Sequence, residues 1–373
     1  MKPQEKYQIC SRCVMDNNGD SQITFESDGT CSYCNYALKR IESDYLPDDR
    51  GRELFDNTIA LMKEKGRKQK YDCIMGLSGG LDSSYIAYLF SRAGIRILAF
   101  HIDDGFNTPL AVQNIENLCK NCNIELVVVK PDYEEFVDLI RSFILAGLPN
   151  ICAPQDNILF KKLNVFSRNS KAKFFLSGVN LALESVQQRE SFGNACDKTH
   201  IISIHKKFGT HKLKNTKIMG LVEKYIGQKL FNKHKTIRPL NWIDYNYVRA
   251  IKELETVGFC YYESKHSESY LTKFMQSYYM PSKFNTDVRK SHLSSLIVSR
   301  QLTREDALVE LKKNPRENFG KEELGFLIEK LNFTKEQFDK IMKSPPKKHS
   351  DYKQSFLIKF EKFARKFRTF LAD

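Results

Sequence analysis

The sequence predicts an α/β protein with a doubly wound parallel sheet, preceded by a small cysteine-rich module and followed by a helical region. Between residues 69 and 240, four short apolar segments alternate with helical patterns. The first 40 residues contain two Cys-x2-Cys pairs, and strand-like patterns fade after about residue 240. Short apolar strands separated by helices imply a parallel sheet that is covered on both faces.

The predicted sheet places three polar segments at the carboxyl ends of its strands, where such sheets bind ligands. These segments are Ser78 to Asp82, Asp103 to Gly105, and Ser177 to Asn180. The last two are weak signals alone, since Asp-Gly and Ser-Gly usually mark plain turns. The predicted strands are 72–77, 96–102, 125–130 and 173–177, and the helices between them lie near 84–92, 110–120, 132–146 and 156–169.

The chain has 373 residues and 41% hydrophobic content, enough for a buried core and several domains. We predict five parts: a zinc-binding ribbon, a helical connector, an ATP-binding domain, a helical domain for substrate or partner, and a basic amphipathic tail helix. Their expected boundaries are 1–40, 41–68, 69–240, 241–343 and 344–373.

Composition indicates a cytoplasmic protein with polyanionic partners. No apolar run approaches a membrane span, and the first eight residues are polar. The ten cysteines do not form the framework typical of secreted proteins. A net charge of +14 favours nucleotides, nucleotide sugars, tRNA or a membrane surface, without choosing among them.

The two cysteine pairs predict a structural zinc site. Cys10 and Cys13 are separated by 17 residues from Cys31 and Cys34, so two tight turns can direct four thiolates at one point. A short strand near 22–25 and a turn at Asp28-Gly29 would complete a ribbon or knuckle. An iron–sulfur cluster and free thiols are the alternatives.

The run Ser78 to Ser84 predicts a phosphate-binding loop between a strand and a helix. Gly79 and Gly80 lack Cβ atoms, so backbone amides can approach a polyanion, and the following helix adds its positive dipole end. The run resembles the PP-loop of ATP pyrophosphatases, which split ATP between its α and β phosphates. A plain Gly-Gly turn is the bland alternative.

Side chains of the loop and of the neighbouring strand ends are the candidate ATP ligands. Ser78 and Asp82 are also catalytic candidates, because Asp82 can orient the loop or share a Mg²⁺ ion that the nucleotide carries. The predicted ATP-binding residues are Ser78, Gly79, Gly80, Asp82, Ser83, Ser84, Asp103, Ser177 and Gly178.

Basic and polar clusters further along the chain are candidates for binding an anionic substrate. Lys206 is also a catalytic candidate. A solvated basic loop or an exposed charged helix would look similar in sequence. The predicted substrate-binding residues are Glu184, Gln188, Arg189, His205, Lys206, Lys207, Lys265 and His266.

Three further cysteines and the C-terminal tail have open interpretations. Cys119, Cys122 and Cys152 can form a thiolate cluster, but we expect buried cysteines on an amphipathic helix. Phenylalanines recur at helical spacing between Phe356 and Phe370, with lysines and arginines between them. We expect this tail to pack on protein, with attachment to a membrane surface as the alternative.

The sequence as a whole resembles the N-acetyl sugar amidotransferase family of bacterial surface-polysaccharide biosynthesis. Ser264 and Arg300 depart from the family pattern, which expects glycine at both positions. The residues that carry the resemblance are Cys10 to Asp16 with Cys31 and Cys34, Ser78 to Ser84, Leu183 to Glu190, His205 to Gly209, Lys265 to Ser269, and Thr303 to Leu308.

The resemblance implies an ATP- and Mg²⁺-dependent conversion of an acetamido group to an acetamidino group on a nucleotide-linked sugar, in lipopolysaccharide O-antigen or related glycan synthesis. It also implies a separate glutaminase of the histidine-biosynthesis type that supplies ammonia, and a cyclase-like partner. Nucleic acid is then an unexpected partner. Transfer of sulfur to tRNA is the competing enzymatic prediction, and a nucleotide-binding zinc scaffold without catalysis is the competing prediction of another class.

Overall fold

The protein contains one parallel five-stranded sheet. The computed structural model describes residues 7–18, 20, 22–188, 193–227, 234–262 and 267–358. Its strand order is β3-β2-β1-β4-β5, and every neighbouring pair is parallel. All four predicted strands are present, and the sequence reading missed β5. The strands are β1 (Cys73–Gly76), β2 (Ile97–Ile102), β3 (Glu125–Val129), β4 (Phe174–Leu176) and β5 (Lys235–Ile237).

The strand order creates a switch point beside β1. From β1 the chain adds β2 and β3 on one side of the sheet, and then returns to place β4 and β5 on the other side. The segments that follow β1 and β4 therefore leave the sheet next to each other. In open α/β sheets, this is where the crevice for ligands lies.

Four helices predicted from the sequence pack around the sheet, with their ends shifted by at most three residues. Thr108 and Asp132 cap the second and third of these helices, since each side chain accepts a bond from a backbone amide three residues later. The helices are α3 (Leu81–Arg92), α4 (Pro109–Asn121), α5 (Tyr133–Leu145) and α6 (Ala153–Asn169).

Alternating side chains of β2 separate the two faces of the sheet. Ile97 and Ala99 join the core that contains α3 and α4. Phe100 points to the opposite face, where its ring lies 4.8 Å from the ring of Phe166 on α6. Helices thus cover both faces, as a doubly wound sheet requires.

The N-terminal region contains more helix and less strand than predicted. The expected strand near 22–25 is reduced to an isolated antiparallel bridge between Phe25 and Cys31, and a second bridge joins Ile9 to Asp16. The predicted helical connector at 41–68 contains the end of α1 and one further helix. These helices are α1 (Ser32–Asp44) and α2 (Asp49–Gly66).

Some of the remaining helices build a second apolar core against α5 and α6, whereas Leu183 and Leu254 lie on helices that pack against the first core. Side chains of α5 and α6, such as Phe143 and Ile158, pack with Phe274, Leu327 and other residues beyond 270. A π-helical turn at Met275–Tyr279 joins two of these helices. The helices are α7 (Leu181–Glu184), α8 (Lys198–Phe208), α9 (Tyr247–Glu255), α10 (Tyr270–Phe274), α11 (Met280–Phe284), α12 (Arg289–Val298), α13 (Arg304–Lys312), α14 (Lys321–Lys330) and α15 (Lys335–Lys343).

The segment before residue 358 packs on α8. His200 Nε2 lies 3.0 Å from His349 Nδ1, and both rings are buried. The Ser355 amide donates to Asp197 Oδ2 at 2.9 Å. Most of the predicted tail helix, including all its phenylalanines after Phe356, lies outside the described residues. Within the described part of the chain, no helix is both long and apolar enough to cross a membrane.

The buried histidine contact predicts a loss of stability in mild acid. Burial lowers the pKa of His200 below its ordinary value. In the unfolded chain His200 titrates near 6.5, so below that pH the unfolded chain binds more protons than the folded protein does. The free energy of unfolding therefore decreases as the pH falls through this range. We expect the melting temperature to fall between pH 7.5 and 5.5, and to fall less in His200→Gln.

Cys260→Ser controls for the effect of a substitution as such, because Cys260 is exposed and lies outside this contact. An equal acid sensitivity in wild-type protein and His200→Gln would contradict the assignment.

Candidate phosphate-binding and metal sites

The loop after β1 owes its shape to close packing at Gly79. This residue has φ +84°, in the left-handed region that disfavours side chains. A Cβ atom there would lie 2.9 Å from the carbonyl oxygen of Ala111 on α4. The loop can therefore lie against α4 only with glycine at this position.

The second glycine of the loop lies close to Glu268, a residue far from it in the sequence. A Cβ atom on Gly80 would lie 2.9 Å from Glu268 Oε1. The Tyr262 hydroxyl donates to the carbonyl oxygen of Gly79 at 2.9 Å. Sequence analysis did not mark Tyr262 as a site residue, because an isolated tyrosine carries no chemical signal.

Two of the three loop hydroxyls are near each other and close to the surface. Ser78 Oγ lies 3.2 Å from Ser83 Oγ, and the Gly80 amide donates to Ser78 Oγ at 3.1 Å. Ser84 is fully buried, and its hydroxyl has no hydrogen-bond partner among the described residues. Ser78 and Ser83 are thus the hydroxyls that a ligand can reach, whereas Ser84 is enclosed by protein.

The N-terminus of α3 supplies donors for an anion. The helix begins at Leu81 after Gly80, and no side chain caps it. The first amides of a helix have no intrahelical acceptor and lie at its positive end. A phosphate group fits this chemistry, so the loop is suited to hold part of a nucleotide.

Asp82 is fixed by a buried tyrosine. The Tyr245 hydroxyl donates to Asp82 Oδ1 at 2.5 Å. Burial and the charge of Asp82 raise the pKa of Tyr245 well above its usual value, so the phenol remains a donor. The negative charge of Glu184 adds to the same rise in the pKa of Tyr245. Sequence analysis did not identify Tyr245 as a site residue.

The end of β4 approaches the loop, whereas Asp103 makes its contacts on the other side of β1. A Cβ atom on Gly178 would lie 3.5 Å from both Asp82 Cβ and the Ser83 amide nitrogen. Ser177 Oγ accepts a bond from the Val179 amide. Asp103 is partly buried, which opposes ionisation, but the ion pair with Lys130 at 3.0 Å and the Gly105 amide lower its pKa.

Asp82 is the candidate carboxylate for holding a nucleotide-bound cation. Within the described ranges, the one group of three or more metal-ligating side chains that converge on a point consists of four cysteines, so no cluster of carboxylates is available for this role. Asp82 lies in the loop, so it fits the role of a single carboxylate beside Mg²⁺ and phosphate.

The residues expected to bind substrate lie in several environments. The basic cluster around His205, for which a solvated loop was the alternative to substrate binding, forms the last turn of α8. His205 is buried, with Nε2 2.8 Å from Asp138 Oδ2, so its ring already has a protein partner. Lys206 and Lys207 are exposed on the same helix turn.

Other predicted substrate residues are near α7 or outside the described chain. Gln188 is buried, and its amide donates to Ser291 Oγ at 3.2 Å. Ligand binding by this set stays a prediction. Arg189, Lys265 and His266 lie outside the described residues.

The three other cysteines are placed in the core, as expected. Cys122 and Cys152 are buried and Cys119 is partly buried. Burial raises the pKa of Cys119 to about 11 and that of Cys152 well above its ordinary value. These groups are therefore neutral thiols at physiological pH.

The four N-terminal cysteines form a buried cluster suited to zinc. Their sulfur atoms all lie within 4.8 Å of one another. Cys10 Sγ lies 3.7 Å from Cys34 Sγ, and Cys13 Sγ lies 3.6 Å from Cys31 Sγ. Four thiolates at tetrahedral Zn–S distances would be separated by about 3.8 Å. The donor set fits a closed structural zinc site with no position left for substrate.

The cysteine cluster is attached to helices α12 and α13. The Arg304 guanidinium donates to the carbonyl oxygens of Cys13 and Cys10 at 3.1 and 3.0 Å. The Val14 amide donates to Ser294 Oγ at 3.3 Å. Lys290 forms an ion pair with the buried Asp16. The cysteine cluster therefore lies at the junction between the N-terminal module and helices α12 and α13.

Substitution of Gly79 should disable the loop. We expect Gly79→Ala to lose most ATP-dependent activity, because a left-handed alanine costs about 1–2 kcal/mol and its Cβ displaces the loop from α4. Equilibrium binding of ATP is the measurement. Gly325→Ala is the control, since a Cβ there meets no atom within 4 Å. Unchanged ATP binding in Gly79→Ala would contradict the assignment of the loop.

Purified protein should contain about one zinc per chain by elemental analysis. We expect Cys31→Ser to lose the metal and to lower the melting temperature, because one sulfur ligand of the cluster is removed. Cys260→Ser is the control, since Cys260 is exposed and outside the cluster. Zinc retained after the loss of both Cys31 and Cys34 would refute the site.

Comparison with curated sequences finds relatives that match parts of the chain. An uncharacterized protein, MJ1599, of Methanocaldococcus jannaschii is 29% identical over 136 residues, or 35% of this chain and 46% of that protein. A tRNA(Ile)-lysidine synthase of Chlamydia pneumoniae is 31% identical over 97 residues, or 26% and 28%. A probable tRNA sulfurtransferase of Thermococcus kodakarensis is 28% identical over 156 residues, or 37% and 40%. The chain spans less than half the length of these relatives.

Solved structures that resemble the chain include two synthetases. An NH3-dependent NAD synthetase from Campylobacter jejuni has a TM-score of 0.29 and 18% identity, covering 48% of this chain and 77% of that one. An NMN synthetase from Francisella tularensis has a TM-score of 0.29 and 16% identity, covering 56% and 97%. At these scores, the α/β assignment rests on the sheet of the protein itself.

One family model matches the C-terminal part of the chain. Residues 268–366 match the family described as LPS biosynthesis protein WbpG-like, C-terminal domain. The matched region begins at Glu268, the residue beside Gly80 in the loop. The match agrees with the predicted resemblance to enzymes of surface-polysaccharide synthesis. The protein thus combines an α/β domain that carries a PP-loop-like sequence with a C-terminal region, residues 268–366, that is similar to the WbpG-like C-terminal domain.

Proposed function

We propose that the protein is an ATP-dependent amidotransferase that converts an acetamido group of a nucleotide-linked sugar into an acetamidino group, for lipopolysaccharide O-antigen or a related glycan. The contact between Gly80 and Glu268 carries the proposal. It joins the candidate phosphate loop to the first residue of the region that matches the WbpG-like family of LPS biosynthesis. The candidate phosphate loop and the matched region therefore meet at one place, which supports a role for both in the same reaction.

Further backbone contacts support this convergence. The Thr108 amide donates to the carbonyl oxygen of Glu268 at 2.9 Å, and Asn107 forms a β-bridge with Ser269. Residues 106–108 follow β2 and precede α4, which packs against Gly79. The segment from 267 to 270 is thereby held at the carboxyl edge of the sheet, beside the loop.

The proposed reaction needs ATP because an amide carbonyl is a poor electrophile. Transfer of the adenylyl group from ATP to the carbonyl oxygen breaks the bond between the α and β phosphates and releases pyrophosphate. Ammonia then attacks the carbon, the C–O bond to AMP breaks, and the nitrogen loses a proton to leave the amidine. The carbonyl oxygen of the sugar therefore leaves with AMP.

The residues of the loop are suited to stabilise the departing pyrophosphate. Amides at the start of α3 and the hydroxyls of Ser78 and Ser83 are donors for phosphate oxygens. Mg²⁺ that is bound to the nucleotide would offset phosphate charge. Tyr245 would hold Asp82 in the orientation for that cation. Enclosure of the site would limit hydrolysis of the adenylated intermediate.

The remaining assignments rest on the resemblance. Ammonia would come from a separate glutaminase of the histidine-biosynthesis type, assisted by a cyclase-like partner, and Lys206 and Lys207 would bind an anionic part of the substrate. Sulfur transfer to tRNA is less well supported, although one relative bears that name. It would need a reactive thiolate, whereas burial keeps the Cys152 thiol protonated.

Isotope labelling tests the proposed chemistry directly. With substrate that carries ¹⁸O in the acetamido carbonyl, we expect mass spectrometry to find the label in AMP, because that oxygen accepts the adenylyl group. Reaction with ammonium ion bypasses the partner, and an analogue lacking the acetyl group is the control that should give no AMP. Formation of ADP and phosphate, or unlabelled AMP with amidine product, would contradict the mechanism.

A further inference from the structure

A cavity lies at the carboxyl ends of β2 and β3, on the far side of β2 from the candidate phosphate loop. Its volume is about 330 Å³, and Asp103, Gly105, Lys130, Tyr133 and Lys330 are among its lining residues. Lys330 lies on α14, within the region that matches the WbpG-like family of LPS biosynthesis. The cavity thus lies between the α/β sheet and the C-terminal helices.

Lys330 is the lysine of this cavity for which the described residues provide no ion pair. Lys130 forms an ion pair with Asp103 at 3.0 Å, so those two charges offset each other. Asp104 is buried and bonded to the amide groups of Gln155 and Phe106. Among the described residues, no ion pair is recorded for Lys330.

Two aromatic rings hold the Lys330 ammonium in place. Its Nζ lies 5.4 Å from the ring centre of Tyr133 and 5.5 Å from that of Phe326. Cation–π contacts of this kind stabilise a cation without using its N–H donors. The three donors of the ammonium therefore remain suited to an anionic ligand.

The backbone at Gly105 maintains this arrangement. Gly105 has φ +84°, and a Cβ atom there would lie 3.1 Å from Tyr133 Cε2. Glycine thus lets the tyrosine ring approach the turn after β2, which positions it under Lys330. The turn, the ring and the half-buried lysine thus lie together at the carboxyl end of β2.

We propose that this cavity binds a phosphate group of the second substrate, with Lys330 as its principal cation. The inference rests on the proposed function, which requires a phosphorylated sugar beside the nucleotide. Lys330 would contact the substrate's diphosphate, and the ATP phosphates would remain at the loop after β1. The C-terminal domain would then supply substrate recognition, while the α/β domain supplies the site for adenylation.

Equilibrium binding tests the inference independently of turnover. Protein saturated with α,β-methylene-ATP, which fills the loop, is titrated with UDP-N-acetylglucosamine as a probe. In Lys330→Met we expect the Kd of the probe to rise about tenfold, as for loss of a charged hydrogen bond, while the Kd of the ATP analogue remains unchanged. Methionine preserves the unbranched stem on the rings, and Lys330→Arg should restore binding.

Lys335→Met is the matched control, because it removes the same charge from an exposed position on α15. Reductive methylation of wild-type protein provides a second measurement that needs no variant: the probe should protect Lys330, and UDP should protect it equally if the diphosphate is recognised. Absence of probe binding, no protection, or weakened binding of the ATP analogue in Lys330→Met would overturn the inference. The origin of the oxygen in AMP would still test the proposed reaction separately.

Discussion

The phosphate loop is held in shape by residues far along the chain. Tyr245 fixes Asp82, Tyr262 binds the carbonyl oxygen of Gly79, and Glu268 lies against Gly80. These partners are separated from the loop by more than 160 residues. Because the loop is mostly backbone with two glycines, it has few contacts of its own to define its conformation. The conformation of the loop therefore depends on contacts from residues 245–268.

The cysteine cluster packs on helices α12 and α13, which connects the N-terminal module to the C-terminal region. Arg304 binds carbonyl oxygens within the cysteine cluster, and Ser294 and Lys290 hold the residues that follow it. Helix α12 also packs closely on α7, which ends at Glu184. The cysteine module thus stabilises helices α12 and α7, which lie near the loop. Its four sulfur atoms are buried and offer no surface for substrate.

Buried acids and exposed bases explain how a chain with charge +14 keeps its fold. Burial opposes the ionisation of Glu135, but the amides of 214–216 bind its oxygens and lower its pKa to about 2. Asp138 binds His205 and the amides of Thr210 and His211 in the same way. Glu135 and Asp138 thus bind the segment that follows α8 to helix α5. Many lysines of the chain remain at the surface, where anionic partners can contact them.

The sequence by itself determined four of the five strands, the surrounding helices, the cysteine cluster and the position of the loop. Apolar periodicity, Cys spacing and the Ser-Gly-Gly-x-Asp-Ser run are local properties of the chain. It did not reveal β5, which has only three residues, or the burial of His205 and Ser84. Tertiary structure alone decided that Tyr245, Tyr262 and Glu268 surround the loop and that Lys330 faces the end of β2. Such contacts join distant segments through packing and charge, and no local pattern of residues encodes them.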